Sequence, residues 1–175
     1  MIQRTATCGV MFMLATLCLP GCASRHMTVA DTFPKAARAA PWELQGEVWS
    51  GTFSQAIIAL GDDAKDWHRF NPSQVWLAVY RHQENPQRKM TIRTFAFDSP
   101  DNARQAYRHF RPADAREFLV GDSGCWTEIG VLYVWGRLVF DIFGSEAAWE
   151  SEVQSAVLAG YIQGHMPAGL PDAPQ

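Results

Sequence analysis

The chain offers few cysteines for disulfides. Cys8 and Cys18 lie in an uncharged run near the N-terminus, Cys22 follows that run, and Cys125 stands alone in the second half. Small exported domains with weak cores are usually held by several disulfides, and this spacing provides no such framework. The folded part must therefore be stabilised by its hydrophobic core. The seven tryptophans of the chain can each bury roughly 150–250 Å² there.

Neither an excess of basic charge nor a membrane-spanning run is present. The formal net charge is −3 at pH 7, whereas a nucleic-acid-binding domain usually carries clustered positive charge. The uncharged run from Thr5 to Leu19 is shorter than the roughly 20 apolar residues that cross a bilayer. We therefore expect no nucleic-acid partner and no permanent transmembrane helix.

The N-terminal run has the plan of a secretory signal. Arg4 precedes the apolar stretch, which ends at Leu19-Pro20-Gly21-Cys22, and a cation followed by an apolar region is typical of such signals. These four residues resemble the lipobox of bacterial lipoproteins, Leu-x-Gly/Ala-Cys. The resemblance implies a signal peptide over 1–21 and lipidation of Cys22 by diacylglycerol and usually an N-acyl chain such as palmitate. The alternatives are a plain signal peptide and a cytosolic protein with an apolar N-terminus.

A lipidated Cys22 implies an address in the bacterial cell envelope. Several acyl chains, at ~0.8 kcal/mol per buried methylene, hold a protein durably, so membrane lipid is the partner expected of Cys22. Ala23, rather than aspartate, follows the cysteine. By resemblance to the proteobacterial sorting rule, this implies the outer membrane, facing the periplasm. Cys125 is then the remaining thiol, and we expect it to be buried and inert, because free cysteine usually behaves as a small hydrophobe.

Composition divides the rest of the chain into a tether, a domain and a tail. Residues 22–41 are rich in alanine and contain Pro34 and Pro41, which predicts a tether. Residues 164–175 contain three prolines and two glycines and predict a disordered tail. The stretch between them, 42–163, has the length of one domain.

Apolar spacing predicts the first elements of this domain. Gly61 interrupts the first predicted helix and favours two short pieces, with an apolar face made of Phe53, Ile57, Leu60, Ala64 and Trp67. The runs "SQVWLAVYRH" and "KMTIRTFAF" predict an antiparallel hairpin. The first of these strands is apolar on both faces, so we expect both of its sides to be covered. Ser99-Pro100 begins a second helix, whose buried stripe is Ala103, Ala106, Tyr107 and Phe110.

The remaining elements complete a mixed fold. Strands are predicted in "CWTEIGVLYVW" and "LVFDIFG", with a type II′ turn at Gly136-Arg137. Ser145 caps a closing helix, whose apolar face is Trp149, Val153, Ala156, Val157, Gly160 and Tyr161. This order predicts an α+β fold, a single domain with two or three helices packed on a mainly antiparallel sheet. The series from Gly61 to about Tyr107 resembles an uncharacterised family of exported bacterial proteins, which implies no activity.

Two short motifs are similar to catalytic signatures but lack their context. "GDSGCW" places Ser123 in surroundings that resemble those of a chymotrypsin-like nucleophile, yet Cys125 replaces the final glycine and the chain is too short for two barrels. Asp62, Asp63 and Asp66 match the Asp-Asp-x-x-Asp of isoprenoid synthases, which hold that motif in a large all-α cavity. We therefore expect a turn near Ser123, a solvated helix face at the aspartates, and no catalytic residue, metal or cofactor.

The histidines have no metal-ligand spacing, since none of the five belongs to a His-x-x-x-His or His-Glu-x-x-His pattern. A concavity that held two or more of His68, His82, His109 and Asp141 would favour an enzyme. A polar surface with one apolar patch would favour a binding module.

One arginine pattern recurs at helical spacing. Arg104, Arg108 and Arg111 occupy one flank of the second helix, and Arg116 follows closely. On a tethered protein this flank is a candidate contact for anionic head groups, each cation contributing on the order of 1 kcal/mol. A solvated helix face is the alternative.

These observations predict a non-enzymatic binding or interaction module, whose partner is an unknown envelope protein or a small ligand. The alternative is a small exported enzyme, similar to a hydrolase, with a site assembled from residues distant in sequence.

Overall fold

The computed structural model describes residues 28–35, 39, 41–145, 155, 158–160 and 162–165. The predicted signal peptide, Cys22, Trp149 and the stretch 166–175 lie outside this range, as do Val153, Ala156, Val157 and Tyr161 of the predicted closing helix. Within the described range, no helix is long and apolar enough to cross a membrane.

The fold is α+β, with helices packed on a seven-stranded antiparallel sheet. The strand order is β1-β3-β4-β7-β6-β5, and β2 pairs with β3 on the same edge as β1. The elements, in chain order, are β1 (Trp42–Leu44), β2 (Trp49–Thr52), α1 (Phe53–Leu60), α2 (Ala64–His68), β3 (Gln74–His82), β4 (Lys89–Ala96), α3 (Pro100–Phe110), β5 (Ser123–Trp126), β6 (Gly130–Trp135) and β7 (Leu138–Gly144). This confirms the predicted fold class, the β3–β4 hairpin and α3, but β1 and β2 were not predicted.

Two hydrophobic cores lie on opposite faces of the sheet. Alternation along β3 sends Trp76 and Ala78 into one core and Val75 and Leu77 into the other. The first core is covered by residues near the two ends of the described chain, and the second by the α-helices α1, α2 and α3. The expectation that both sides of β3 are covered is therefore confirmed.

Gly61 divides the first predicted helix, as expected. Its φ of 61° and ψ of −136° are strained for residues with a side chain, and a 3₁₀ turn, Gly61–Asp63, separates α1 from α2. The predicted buried position of Ile57 is wrong, because 42% of this residue is exposed and Ala56 is fully buried instead. Although α1 stops at Gly61, it shares the second core with α2, and the fully buried Ala56 belongs to that core.

The structure confirms the predicted N-terminal cap of α3 and the predicted turn between β6 and β7. Ser99 caps α3 by accepting a hydrogen bond from the backbone N–H of Asn102, and Pro100 occupies the first turn. Gly136 has a φ of 54°, and Arg137 is not among the residues with positive φ, as a type II′ hairpin between β6 and β7 requires.

The segment predicted as a tether, 22–41, is part of the folded domain over residues 28–35. Val29 and Phe33 are 5% and 2% exposed and belong to the first core. The hydroxyl of Tyr80 donates a hydrogen bond of 2.9 Å to the carbonyl oxygen of Pro34. The alanine and proline content of this segment is typical of a tether, but the apolar side chains of Val29 and Phe33 attach it to the first core.

The described part of the closing helix includes one residue of the predicted apolar face, Gly160. Among its described positions, Gly160 is exposed, and the buried residues are Ser155, Leu158, Ala159 and Ile162. Gly164 and His165, predicted to begin the disordered tail, are still helical. Each of these four buried residues lies two positions after a residue of the predicted stripe, and the prediction is wrong at Gly160, the one stripe residue that the structure describes.

Phe33→Ala should test whether the N-terminal segment contributes to stability. We expect the free energy of unfolding to fall by about 3–5 kcal/mol, because a buried aromatic side chain is lost. Leu119→Ala is the control, since Leu119 is 95% exposed and surface changes usually stay within about 0.5 kcal/mol. Urea unfolding measures both, and equal midpoints for the two variants would show that the segment is a tether after all.

Candidate functional site

Five residues that pair directly across neighbouring strands form a row across the sheet, and this row contains a charged pair among apolar residues. Leu77 pairs with Arg93, Arg93 with Asp141, Asp141 with Leu132, and Leu132 with Cys125. These directly opposed residues point to the same face, the one that carries the second core. The row therefore brings an arginine and an aspartate, 48 positions apart in sequence, to the centre of a largely apolar surface.

Arg93 binds two carboxylates. Its Nε and Nη2 donate hydrogen bonds of 3.0 and 2.6 Å to Oδ2 of Asp141, and its Nη1 donates one of 2.6 Å to Oδ2 of Asp63. The side chains of Arg93 and Asp141 are 13% and 14% exposed, whereas that of Asp63 is 59% exposed. The guanidinium carbon also lies 4.4 Å from the ring centre of Phe143, within the range of a cation–π contact. These contacts fix the guanidinium in one orientation.

Burial affects the two members of the pair differently. Burial raises the pKa of the Asp141 carboxyl, although Arg93 opposes this shift. Burial also disfavours the charge on Arg93, but Asp141 and Asp63 outweigh it, and the pKa of Arg93 is raised. The charge on Arg93 is shared by two carboxylates, whereas Asp141 has one cation and the repulsion of Asp63. The environment therefore disfavours the charged form of Asp141, whereas it favours the charged form of Arg93.

A cleft opens beside this pair. Its volume is about 250 Å³. The cleft is lined by the 3₁₀ turn Gly61–Asp63, α2, the end of α3, the turn after β5 and three strands. The lining residues are Asp63, Asp66, Trp67, Arg93, Phe110, Thr127, Leu132 and Asp141. Trp67 is stacked between Phe95 and Phe110 at centroid distances of 3.7 and 3.9 Å. The cleft thus has a rigid aromatic wall on one side and a charged strand surface on the other.

The three aspartates of the first motif separate in the structure. Asp63 binds Arg93, Asp66 lines the cleft, and Asp62, 99% exposed, lies 3.4 Å from Lys65. Within the described ranges, no group of three or more histidine, cysteine, aspartate or glutamate side chains is arranged to hold a metal ion. All three aspartates are exposed, as expected of a solvated face, and Asp63 and Asp66 also line one side of the cleft.

Ser123 and Cys125 lie on β5, outside the residues that line the cleft. The Ser123 hydroxyl is 3.5 Å from the Tyr107 hydroxyl, its hydrogen-bond partner in the described chain. Cys125 is fully buried, and burial raises the pKa of its thiol against the opposing influences of Tyr107 and Arg111. Cys125 is therefore the buried thiol that the sequence predicted, in its least reactive form.

His68, His82 and His109 do not assemble into one site, since His82 lies on the other side of the sheet from His68. His82 packs edge-on against Trp42 at 5.2 Å on the side of the first core, and His68 contacts Phe53 at 6.1 Å on the other. His109 lies 3.4 Å from Arg69 and stacks near Phe70. Of the four groups that would favour an enzyme, the cleft contains Asp141.

The arginine flank of α3 does not present a uniform charged surface. Arg104 binds Asp101 at 2.7 Å, and Arg108 is exposed. Arg111 is half-buried and donates to the carbonyl oxygen of Ala115, while Arg116 lies 4.8 Å from the ring centre of Trp126. Two of the three predicted lipid contacts are thus already engaged within the protein.

Arg93 was missed by the sequence analysis, although the sequence carried a signal. Arg93 and Asp141 are single charges of opposite sign within the apolar runs of β4 and β7. Charged residues are rarely buried unless they are paired, so two such charges indicate a cross-strand pair. Recognising it required the pairing of β4 with β7, which the sequence analysis did not assign.

Comparison of the chain with protein-family models, with curated proteins and with solved structures finds no match. The candidate site therefore depends on the geometry described above.

Arg93→Met should destabilise the protein strongly. It leaves Asp141 buried without its cation, which costs about 3–5 kcal/mol. The pKa of Asp141, already raised by burial, should rise further. Protonated Asp141 then favours the folded state, so the variant should be most stable at acid pH and lose stability as the pH rises through the pKa of folded Asp141. Urea unfolding over a pH series measures this.

Two controls separate the pair from general effects of losing an arginine. The double variant Arg93→Met/Asp141→Leu should recover most of the lost stability, because an apolar pair can replace a buried ion pair. Arg104→Met should change stability by no more than about 1 kcal/mol, since its pair with Asp101 is exposed. A double variant as unstable as the single one would contradict the assignment.

Proposed function

We propose that the chain is a lipid-anchored envelope protein that binds a small ligand carrying a positive charge. The observation that carries the proposal is the cleft between α2, α3 and the sheet, which is lined by aromatic side chains on one side and by the Arg93–Asp141 ion pair on the other. Resemblance of Leu19–Cys22 to a lipobox supports an anchor at Cys22, and Ala23 supports the outer membrane, facing the periplasm.

The charge of the cleft favours a cation. Asp63, Asp66 and Asp141 oppose the single guanidinium of Arg93, which leaves an excess of two negative charges among the lining residues. Both hydrogen bonds from Arg93 to Asp141 use Oδ2, so the lone pairs of Oδ1 are available to a donor such as an ammonium group. The half-buried Phe110 supplies apolar surface for the body of the ligand, beside the small exposed parts of Trp67 and Leu132, each 2% exposed.

Binding is favoured over catalysis because Arg93 holds the carboxylates of Asp63 and Asp141. Arg93 stays protonated under physiological conditions and cannot exchange a proton, and Asp141 is fixed by two hydrogen bonds from it. The enzyme alternative, a hydrolase-like site, would need a nucleophile and a base in contact. Labelling of Ser123 by a fluorophosphonate, lost in Ser123→Ala, would favour that alternative.

A pair of matched probes tests the cleft. Protonated 2-phenylethylamine should shift the indole N–H resonance of Trp67, whereas 3-phenylpropionate, of similar size and opposite charge, should not. Asp66→Asn should weaken binding of the amine about threefold or more, because it removes one carboxylate from the cleft. Asp62→Asn is the control, since Asp62 points into solvent. Equal responses to the two probes would refute the proposed ligand class.

The anchor has its own test. In a bacterial host, Cys22→Ala should abolish the acyl mass at the mature N-terminus and release the protein from the membrane fraction. Cys18→Ala, the same substitution four residues upstream, should leave acylation intact. Intact-mass spectrometry of the purified chain measures both. A wild-type chain that begins at another residue and carries no acyl mass would contradict the anchor.

A further inference from the structure

We infer that Asp63 is a latch: its bond to Arg93 holds the 3₁₀ turn Gly61–Asp63 against the sheet, and its release opens the cleft. The inference deepens the proposed function, on which its biological role rests, because it names what controls access to the same cleft.

The two carboxylates bound to Arg93 differ in how easily they can leave. Asp141 belongs to β7, is 14% exposed, and faces Arg93 directly across the β4–β7 ladder. Asp63 belongs to a short turn, and its side chain is 59% exposed. On release, Asp63 would be solvated at little cost, whereas Asp141 would remain buried with Arg93. Asp63 is therefore the partner that can exchange with solvent.

The turn that carries Asp63 is weakly held apart from this bond. None of its three residues is buried, whereas Leu60 before it and Ala64 after it are buried. Gly61 adopts a φ of 61° that glycine accepts without strain, and apart from its chain neighbours no atom lies within 4 Å of the position that a Cβ atom would occupy. Gly61 can therefore act as a hinge between two fixed points, with the Asp63–Arg93 bond as the closing contact.

Movement of this turn would change one wall of the cleft. Asp63, Asp66 and Trp67 come from the turn and from α2, while Arg93, Leu132 and Asp141 come from the sheet. Trp67 is stacked between two aromatic rings and is 2% exposed, so α2 remains attached at that point. Release of Asp63 would widen the cleft at the turn and free its carboxylate for the positively charged group of a ligand.

Hydrogen exchange of the full chain, measured without ligand, tests the latch. Asp63→Asn should raise the exchange rates of amides in residues 61–66 about fivefold, as expected for loss of one partly exposed ion pair. The rates in β3, β4 and β7 should not change. Asp62→Asn, at a neighbouring position paired with Lys65, should match the wild type throughout. Unchanged rates at 61–66 in Asp63→Asn would overturn the inference.

A second variant displaces the same turn without removing the carboxylate of Asp63. Gly61→Ala forces a side chain into a backbone conformation that disfavours it, so it should displace the turn and raise the same local rates while Asp63 is intact. A rise in exchange spread over the whole sheet in either variant would indicate a general loss of stability and would also overturn the latch. Because no ligand is present, a failure of 2-phenylethylamine to bind would count against the proposed function alone.

Discussion

The central strands carry apolar side chains on both faces, and the other elements are arranged to cover one face or the other. A sheet of this kind cannot leave either surface in water without exposing several large side chains, such as Phe95 on one face and Phe140 on the other. The α-helices α1, α2 and α3 cover one surface. The residues around Phe33 and Ile162, near the two ends of the described chain, cover the other.

The Arg93–Asp141 pair interrupts this apolar arrangement at one point. Replacing such a pair with apolar residues is often neutral or stabilising, so stability alone does not explain its presence. The pair lies where the helical cover is incomplete and a cleft reaches the sheet. A charged pair at this position keeps the surface of the cleft polar inside a largely apolar region.

Most of the fold could be predicted from the sequence, because the spacing of apolar residues and the residue types at turns and helix caps are local signals. The alternation in β3, the cap at Ser99 and the glycine at position 136 each specify structure within a few residues. The edge strands β1 and β2 were missed because they are three and four residues long and only complete the edge of β3. Short strands of this kind depend on a partner rather than on their own pattern.

The candidate site was harder to predict from the sequence, because its residues also depend on partners that are distant in the chain. Asp63 attracted attention through a motif borrowed from unrelated enzymes, but its partner is 30 positions away on a different element. The ion pair with Asp141 likewise depends on which strands are neighbours. Local periodicity does not encode strand order, so the residues that build the cleft could be recognised as unusual but not connected.

The docking of the N-terminal segment has a geometric consequence. With Thr28 already next to the folded residues, six positions separate Cys22 from the domain, and six residues reach at most about 20 Å. A lipid attached to Cys22 would then keep the domain within one protein radius of the bilayer. The first core, where this segment packs, would lie on the membrane side, and the cleft, on the opposite face of the sheet, would open toward the aqueous compartment.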